Sequence, residues 1–231
     1  MIGIITYDAP HKKTQDLIYQ LILKGRKDLH IMATPWVERK NFVPIYKHRP
    51  GKTIDVSLSA LCRQLGLNLS RLPMDELPDF LNQMKFEHIL IAGAGILPEA
   101  LAKNFKIINT HPGYLPYVKG LDAFKWAIYN EHPIGITTHY ISEKADEGLL
   151  IQRKEVPVYY EDTFHSVAFR QYEMEIEMLA DAAQIVAGNP TLEDLADDQY
   201  TANRRMPHHL EIKMMDKFEK LRAQASSFKE S

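Results

Sequence analysis

The chain of 231 residues is long enough to bury the core of one full domain with a small appendage. Hydrophobic residues make up 45% and charged residues 25%, and the formal charge of −2 argues against a nucleic-acid or anionic-membrane partner. No apolar run approaches the ~20 residues of a membrane span, and the single cysteine, Cys62, excludes an internal disulfide.

Met1 leads at once into a strand pattern, Ile2 to Thr6, with no signal peptide before it, and a cytoplasmic protein is expected. An amphipathic segment from Thr14 to Leu23 follows, stopped by Lys24-Gly25, and His30 to Thr34 is a second strand. Thr53 is the expected N-cap of a helix running to Leu65, with Gly66 as its stop. On that helix Cys62 shares its spacing with Ile54, Leu58, Leu61 and Leu65, which makes it a buried core thiol. Further strands are read in EHILIAGA (87–94), KIINTH (106–111) and GITTHYI (135–141), with LDAFKWAIYN (121–130) a helix between the last two.

After Ile141 the pattern changes. SEKADEG (142–148) is a polar turn, and LLIQRKEVPV (149–158) resumes too soon for a helical crossover, so these two strands are antiparallel. A long helix is expected from Asp162 to Ala187, ended by Gly188 and Pro190. The fold class is therefore α/β: a Rossmann-like, mostly parallel sheet with an antiparallel strand toward the C-terminal side and a helical tail. Residues 1–190 are read as the catalytic domain and 191–231 as a helical extension. The tail carries an apolar stripe, Leu210, Met214, Met215 and Phe218. The stripe must cover either the body of the chain or a second copy, and a homodimer through the C-terminal region is expected.

Among motifs, AGAGIL (92–97) resembles the start of a dinucleotide loop, but Pro98 stands where the third glycine belongs. What survives is small residues after a strand, which let a flat ligand approach the main chain. The loop DAPHKKTQ (8–15) opens a helix, and His11, Lys12 and Lys13 there suit an anion or are simply solvated. The histidines offer no metal-ligand set. Asn109 and His111 share a face at the C-terminal end of a strand, where open α/β sheets place ligands, and Pro112 and Pro116 fix the loop that follows. Asp146 lies in a loop that a neighbouring strand can bring to the same spot. Asn, His and Asp together suit acyl transfer: an oxyanion donor, a proton carrier and a group that keeps the histidine charged. The alternative is that Asn109 caps a turn and His111 is a surface residue.

Asn109-x-His111, then Tyr114-Leu115-Pro116-x-x-Lys119-Gly120, then GITTHYI and Asp146-x-Gly148, together resemble the folate-dependent formyltransferases. That family includes glycinamide ribonucleotide, methionyl-tRNA and sugar-amine N-formyltransferases. The resemblance implies transfer from N10-formyltetrahydrofolate to a primary amine, with Asn109, His111 and Asp146 catalytic and no metal. It implies that the pterin lies near Gly93, Ala94, Gly95, Ile96 and Leu97 and near Ser142, Glu143, Ala145 and Asp146. His11, Lys12, Gly113, Tyr114, Lys119 and His139 are the expected acceptor-side residues, with a buried structural role as the other reading of His139 and simple packing as that of Tyr114.

The chain departs from each branch in some way. It has TYDAPHKKTQ in place of the glycinamide branch's Gly-Ser-Asn phosphate loop, and no room for the C-terminal barrel of the methionyl-tRNA branch. Many relatives carry Ser at Gly113 and Leu at Tyr114, and the sugar branch commonly has Arg at Lys119. Length and tail resemble stand-alone sugar N-formyltransferases, so the expected acceptor is a nucleoside-diphosphate amino sugar. Glycinamide ribonucleotide or another small amine is the alternative. A formyl-folate hydrolase and a catalytically silent nucleotide-binding protein are the rivals from other classes.

Overall fold

Runs of apolar residues with no polar alternation belong in strands covered on both faces, and the first two strands are buried at every position. In the computed structural model, which describes residues 1–37, 42–50, 54–95, 97–144 and 146–228, five strands run parallel. They are β1 (Ile2–Tyr7), β2 (Leu29–Thr34), β3 (Asn68–Arg71), β4 (His88–Ile91) and β5 (Ile107–His111). Three more, β6 (Gly135–Ile141), β7 (Gly148–Glu155) and β8 (Glu193–Asp194), continue the same sheet with antiparallel pairings. The strand order is β3-β2-β1-β4-β5-β6-β7-β8, so the winding reverses between β1 and β4. Crevices at such reversals, beyond the carboxyl ends of the strands, are where open sheets bind ligands.

The helices sort by face. Side chains of α1 (Lys12–Leu23), α2 (Leu58–Leu65) and α6 (Phe164–Ala187) share a core with Ile2, Ile4 and Ile108, while α3 (Leu77–Met84) and α4 (Glu99–Asn104) pack with Ile5, Ile89 and Ile107. A third core joins α5 (Ala123–Asn130), the start of α6 and α7 (His208–Gln224). No helix among the described residues is long and apolar enough to cross a membrane.

The fold class is the expected one, with differences in detail. The four-residue edge strand β3, NLSR, is not an expected strand, since its sequence has no apolar alternation. Antiparallel pairing begins at β6, one strand earlier than the polar turn suggested. The eight-residue α5 shares a core with α7 and with Ile136 of β6, and the chain re-enters the sheet antiparallel to β5. Thr53 lies outside the described residues. The cap of α2 is Ser57, whose hydroxyl accepts from the Ala60 N–H at 3.2 Å, and Gly66 ends the helix in the left-handed conformation. Ile54 therefore precedes the helix and is 58% exposed, while Cys62 is buried.

The apolar stripe of the tail has its partner within the chain. Met214 and Phe218 are fully buried against α5, with Leu210 and Met215 beside them, so the stripe gives no reason for a second copy. At the centre of this contact the Lys125 ammonium is paired with the Glu211 carboxylate, both wholly buried. The second oxygen of Glu211 accepts the Ile45 N–H at 2.8 Å, and His208 Nε2 donates to the Val43 carbonyl at 2.9 Å. These bonds bind residues 42–50 as a strap across α7. Removing one partner from a buried pair leaves an uncompensated charge, which costs about 3–5 kcal/mol. Glu211→Ala is expected to lower the unfolding free energy by that amount in urea titrations; a loss below about 1 kcal/mol, the range of exposed pairs, would show that the pair is hydrated.

Candidate active site

On β5 the residues Ile107, Asn109 and His111 face one way and Ile108 and Thr110 the other. Antiparallel register sets Asn109 directly opposite His139 of β6, and His111 opposite Thr137. Directly opposed side chains on one face are in contact range, so the three polar residues and Thr137 form one patch. Thr137 fixes the loop after β5: its hydroxyl donates to the Gly113 carbonyl at 2.8 Å and accepts the Leu115 N–H at 3.0 Å. The loop between β6 and β7 folds back over this face, bringing Asp146 Oδ1 to 3.1 Å from His111 Nδ1. Asp146 itself sits at φ 57°, and its other oxygen accepts the Gly120 N–H at 2.7 Å.

His111 has two acceptors and no donor. Nδ1 faces the Asp146 carboxylate and Nε2 faces the Val118 carbonyl at 2.9 Å, so each ring nitrogen must carry a proton. The ring is the imidazolium. Burial alone would drive that proton off, but the charge and hydrogen bond of Asp146 and the Val118 carbonyl outweigh burial, and the His111 pKa stands above its ordinary value. Burial likewise opposes ionisation of Asp146, yet the facing His111 cation and the Gly120 N–H hold its pKa far below the usual carboxylate range.

His139 is the opposite case. Its Nδ1 donates to the carbonyls of Tyr140 and Glu147 at 3.1 and 3.0 Å, which fixes the tautomer and leaves a lone pair on Nε2. That Nε2 is buried and, among the described residues, has no partner. Burial pushes the His139 pKa down to about 4 against the pull of Asp146, so a neutral acceptor lies beside a fixed cation. Asn109, half-buried, makes no side-chain hydrogen bond among the described residues. Glycine is required at 113, where a Cβ would stand 2.6 Å from His111 Nε2 and 2.7 Å from the Val118 carbonyl oxygen. A serine there would push the ring off Val118.

The two segments expected to flank a pterin are brought together. Ala94, Leu97 and Ile141 pack in one cluster, and Lys103 of α4 pairs with Glu143 at 3.0 Å, while Ser142 bonds the Lys144 carbonyl within its own loop. Ile96 and Ala145 lie outside the described residues. Gly93 does not offer bare main chain to a ligand, because the His11 ring fills its place: a Cβ there would lie 2.6 Å from His11 Cε1. At Gly95 a Cβ would meet, among the described residues, only Val37, at the ordinary distance of 3.5 Å, so the more open position is Gly95.

Several acceptor-side expectations meet a different geometry. Lys119 is buried and turned inward, donating to Glu147 and to the Asp197 carbonyl, each at 2.8 Å. Tyr114 lies between the Arg153 guanidinium, 4.7 Å from its ring centre, and the stacked ring of Tyr117, and so packs the loop. Lys12 pairs with Asp16 at 2.9 Å and lies over Tyr172. His11 stays at the crevice, bonded to Thr14 and edge-on to Tyr7, whose ring also meets the exposed indole of Trp36. Sequence reasoning missed Thr137, the Val118 carbonyl and Glu175. Of these only Glu175 left a signal, a carboxylate inside the buried stripe of α6 at helical spacing from Val167, Gln171 and Leu179.

A charged donor, a free amide and a neutral acceptor side by side suit a reaction that builds negative charge on one atom and removes a proton from its neighbour. Activity that needs the His111 cation persists to higher pH than an ordinary histidine allows and falls as pH rises through its raised pKa. Asp146→Asn removes the main upward influence, so the alkaline limb of kcat against pH is expected to move to lower pH. A limb that stays in place, with chemistry rate-limiting, would refute the pairing.

Comparison with known proteins identifies the family. The formyl transferase family model matches residues 47–183. A phosphoribosylglycinamide formyltransferase of Haemophilus influenzae is 34% identical over 110 residues, which are 45% of this chain and 51% of that protein. A dTDP-4-amino-4,6-dideoxyglucose formyltransferase of Mycobacterium tuberculosis is 30% identical over 82 residues, 36% of this chain and 35% of that one. The chain thus matches about half, or less, of the length of these two curated relatives. A solved structure described as a likely sugar N-formyltransferase of Mycobacterium tuberculosis superposes with a TM-score of 0.63 at 20% identity, covering 89% of this chain and 75% of that one; it attests the fold.

Proposed function

Because the chain belongs to the formyl transferase family, we propose that it moves a formyl group from N10-formyltetrahydrofolate to the primary amine of a nucleotide-linked amino sugar. The observation that carries transfer chemistry is the His111 imidazolium, held between Asp146 and Val118 beside an unengaged Asn109. When a neutral amine adds to the formyl carbon, its carbonyl oxygen becomes an oxyanion. Asn109 donates to that oxyanion, and the His111 Nε2–H turns to it from Val118. Asp146 keeps the ring charged. The Nε2 lone pair of His139 accepts the N–H of the attacking amine and orients it. Collapse of the tetrahedral adduct restores the carbonyl and breaks the formyl carbon–N10 bond, and the proton given up by the amine nitrogen passes to the departing N10. Gly95 and the 142–146 loop supply the backbone that a flat pterin needs, and the donor binds as co-substrate with no metal.

The acceptor reading is supported by the first loop. A phosphate monoester at the start of α1 would find Lys12 engaged by Asp16 and Lys13 by Glu175, leaving it only helix amides. The aromatic cluster of Tyr7, His11 and the exposed Trp36 suits a larger, flatter acceptor. Glycinamide ribonucleotide is the second reading, favoured by the 34% identical relative. The test is a mass-spectrometric screen for a formyl adduct, with formyltetrahydrofolate and a panel of amino-sugar nucleotides and glycinamide ribonucleotide. Transfer to a sugar nucleotide alone is expected, and transfer to glycinamide ribonucleotide alone would replace that reading. With the true acceptor, Asn109→Ala and His111→Ala are each expected to lower kcat by ~10²–10³, the loss typical of one oxyanion donor. Release of formate without any acceptor would indicate a hydrolase.

Cytoplasmic residence and a homodimer are part of the same proposal. With the tail's stripe covered by α5, association falls to other apolar side chains, of which Ile212 and Leu221 on α7 are 53% and 40% exposed. Light scattering is expected to give twice the chain mass, halved by Ile212→Glu with Leu221→Glu. A monomeric parent chain ends the dimer.

A further inference from the structure

Besides Glu211, the chemistry assigned to the site leaves a second fully buried carboxylate unused, Glu175 of α6. It faces two cations. Lys13 Nζ lies 2.8 Å from its Oε1, and the Arg49 guanidinium, from the strap, binds its Oε2. Lys13 spends another proton on the main chain, donating to the Thr110 carbonyl at 3.2 Å. Thr110 is the residue between Asn109 and His111. One turn earlier on the same face of α6, the Gln171 amide donates to the Pro112 carbonyl at 3.2 Å and to the Gly135 carbonyl at 3.0 Å. The carbonyls on either side of His111 are therefore both held from α6, one directly and one through Lys13.

We propose that Glu175 is a positioning residue of the transfer site, gripping through Lys13 the strand end that carries Asn109 and His111. This rests on the formyl-transfer reading above. A carboxylate buried only for stability would need a partner but no tie to the strand end. Here the tie is to the peptide whose neighbours are the two proposed oxyanion donors, where a displacement of about 1 Å is enough to reduce rate ~10²-fold. The charge acts in the same place. Burial resists ionisation of Glu175, but Arg49 and Lys13 hold its pKa down to about 2, so it is an anion at working pH. It adds to the pull that keeps His111 protonated. The groups facing His111 are then Asp146 from the β6–β7 loop and His139 from β6, with Glu175 from α6 and Lys13 from α1 behind the strand.

The test reads His111 without substrate, so it stands or falls separately from the acceptor assignment. The imidazole titration is followed by NMR on protein labelled in histidine and assigned with His111→Gln; kcat and KM are measured beside it. In Glu175→Gln the His111 titration is expected to move to lower pH by roughly half a unit or more, as loss of a nearby opposite charge requires. Its kcat is expected to fall roughly tenfold or more while KM for the formyl donor stays within about twofold. Lys13→Met keeps Glu175 paired with Arg49 and frees the Thr110 carbonyl. It is expected to lower kcat likewise while moving the titration the other way, since a cation has been removed. A merely structural role would lower the melting temperature and leave titration and kcat at their parent values, which overturns the proposal. Should Glu175→Gln fail to fold, Lys13→Met decides alone: parent kcat and an unmoved titration overturn it.

Discussion

An imidazolium inside a protein is tolerable only where its two N–H groups and its charge are all answered. His111 is answered by one carboxylate, one peptide carbonyl and the glycine that lets the ring lie against that carbonyl. These three come from two parts of the chain, the β6–β7 loop and the loop after β5, which supplies both the carbonyl and the glycine. Much of the local architecture follows from holding them in place. Asp146 takes a left-handed backbone and is anchored by the Gly120 N–H, and Thr137 ties the loop from below.

Next to this cation stands a histidine of opposite character, and the contrast is set by partners more than by depth. Both rings are almost fully buried. His111 meets an anion and stays charged, whereas His139 meets two peptide carbonyls through one nitrogen and stays neutral. A site with a charged donor beside a fixed lone pair needs only the turn of one ring away from Val118 to handle an amine and a carbonyl together. Family membership and this arrangement agree on the kind of chemistry, and the first loop, with both lysines already paired, narrows what the acceptor can present there.

How much was legible in the sequence depended on whether the signal was local. Strand ends and helix stops are written in neighbouring residues, so Asn109 and His111 could be placed on one face from spacing alone, and Gly66 as a stop. Asp146 needed a loop that folds back over the sheet, which spacing permits without specifying; family resemblance, not periodicity, singled it out. Lys119 and Tyr114 illustrate the converse. Their types suit a binding site, but Glu147 is 28 residues from Lys119, and Arg153 is farther still from Tyr114, so no window reveals that both side chains are already engaged. The polar edge strand β3 and the antiparallel entry of β6 were hidden for the same reason, since pairing partners decide them.

The segment just before α7 touches the site's framework. Asn203 pairs with Gly120, and the Asp197 carbonyl receives the Lys119 ammonium, so the tail clasps the very peptide whose N–H steadies Asp146. During synthesis, then, the strand bearing Asn109 and His111 and the hairpin bearing Asp146 can both be formed while the clasp is still missing. The peptide that anchors Asp146 is therefore complete only once residues 197–203 have docked, so the order in which the chain emerges sets the order in which this corner of the molecule closes.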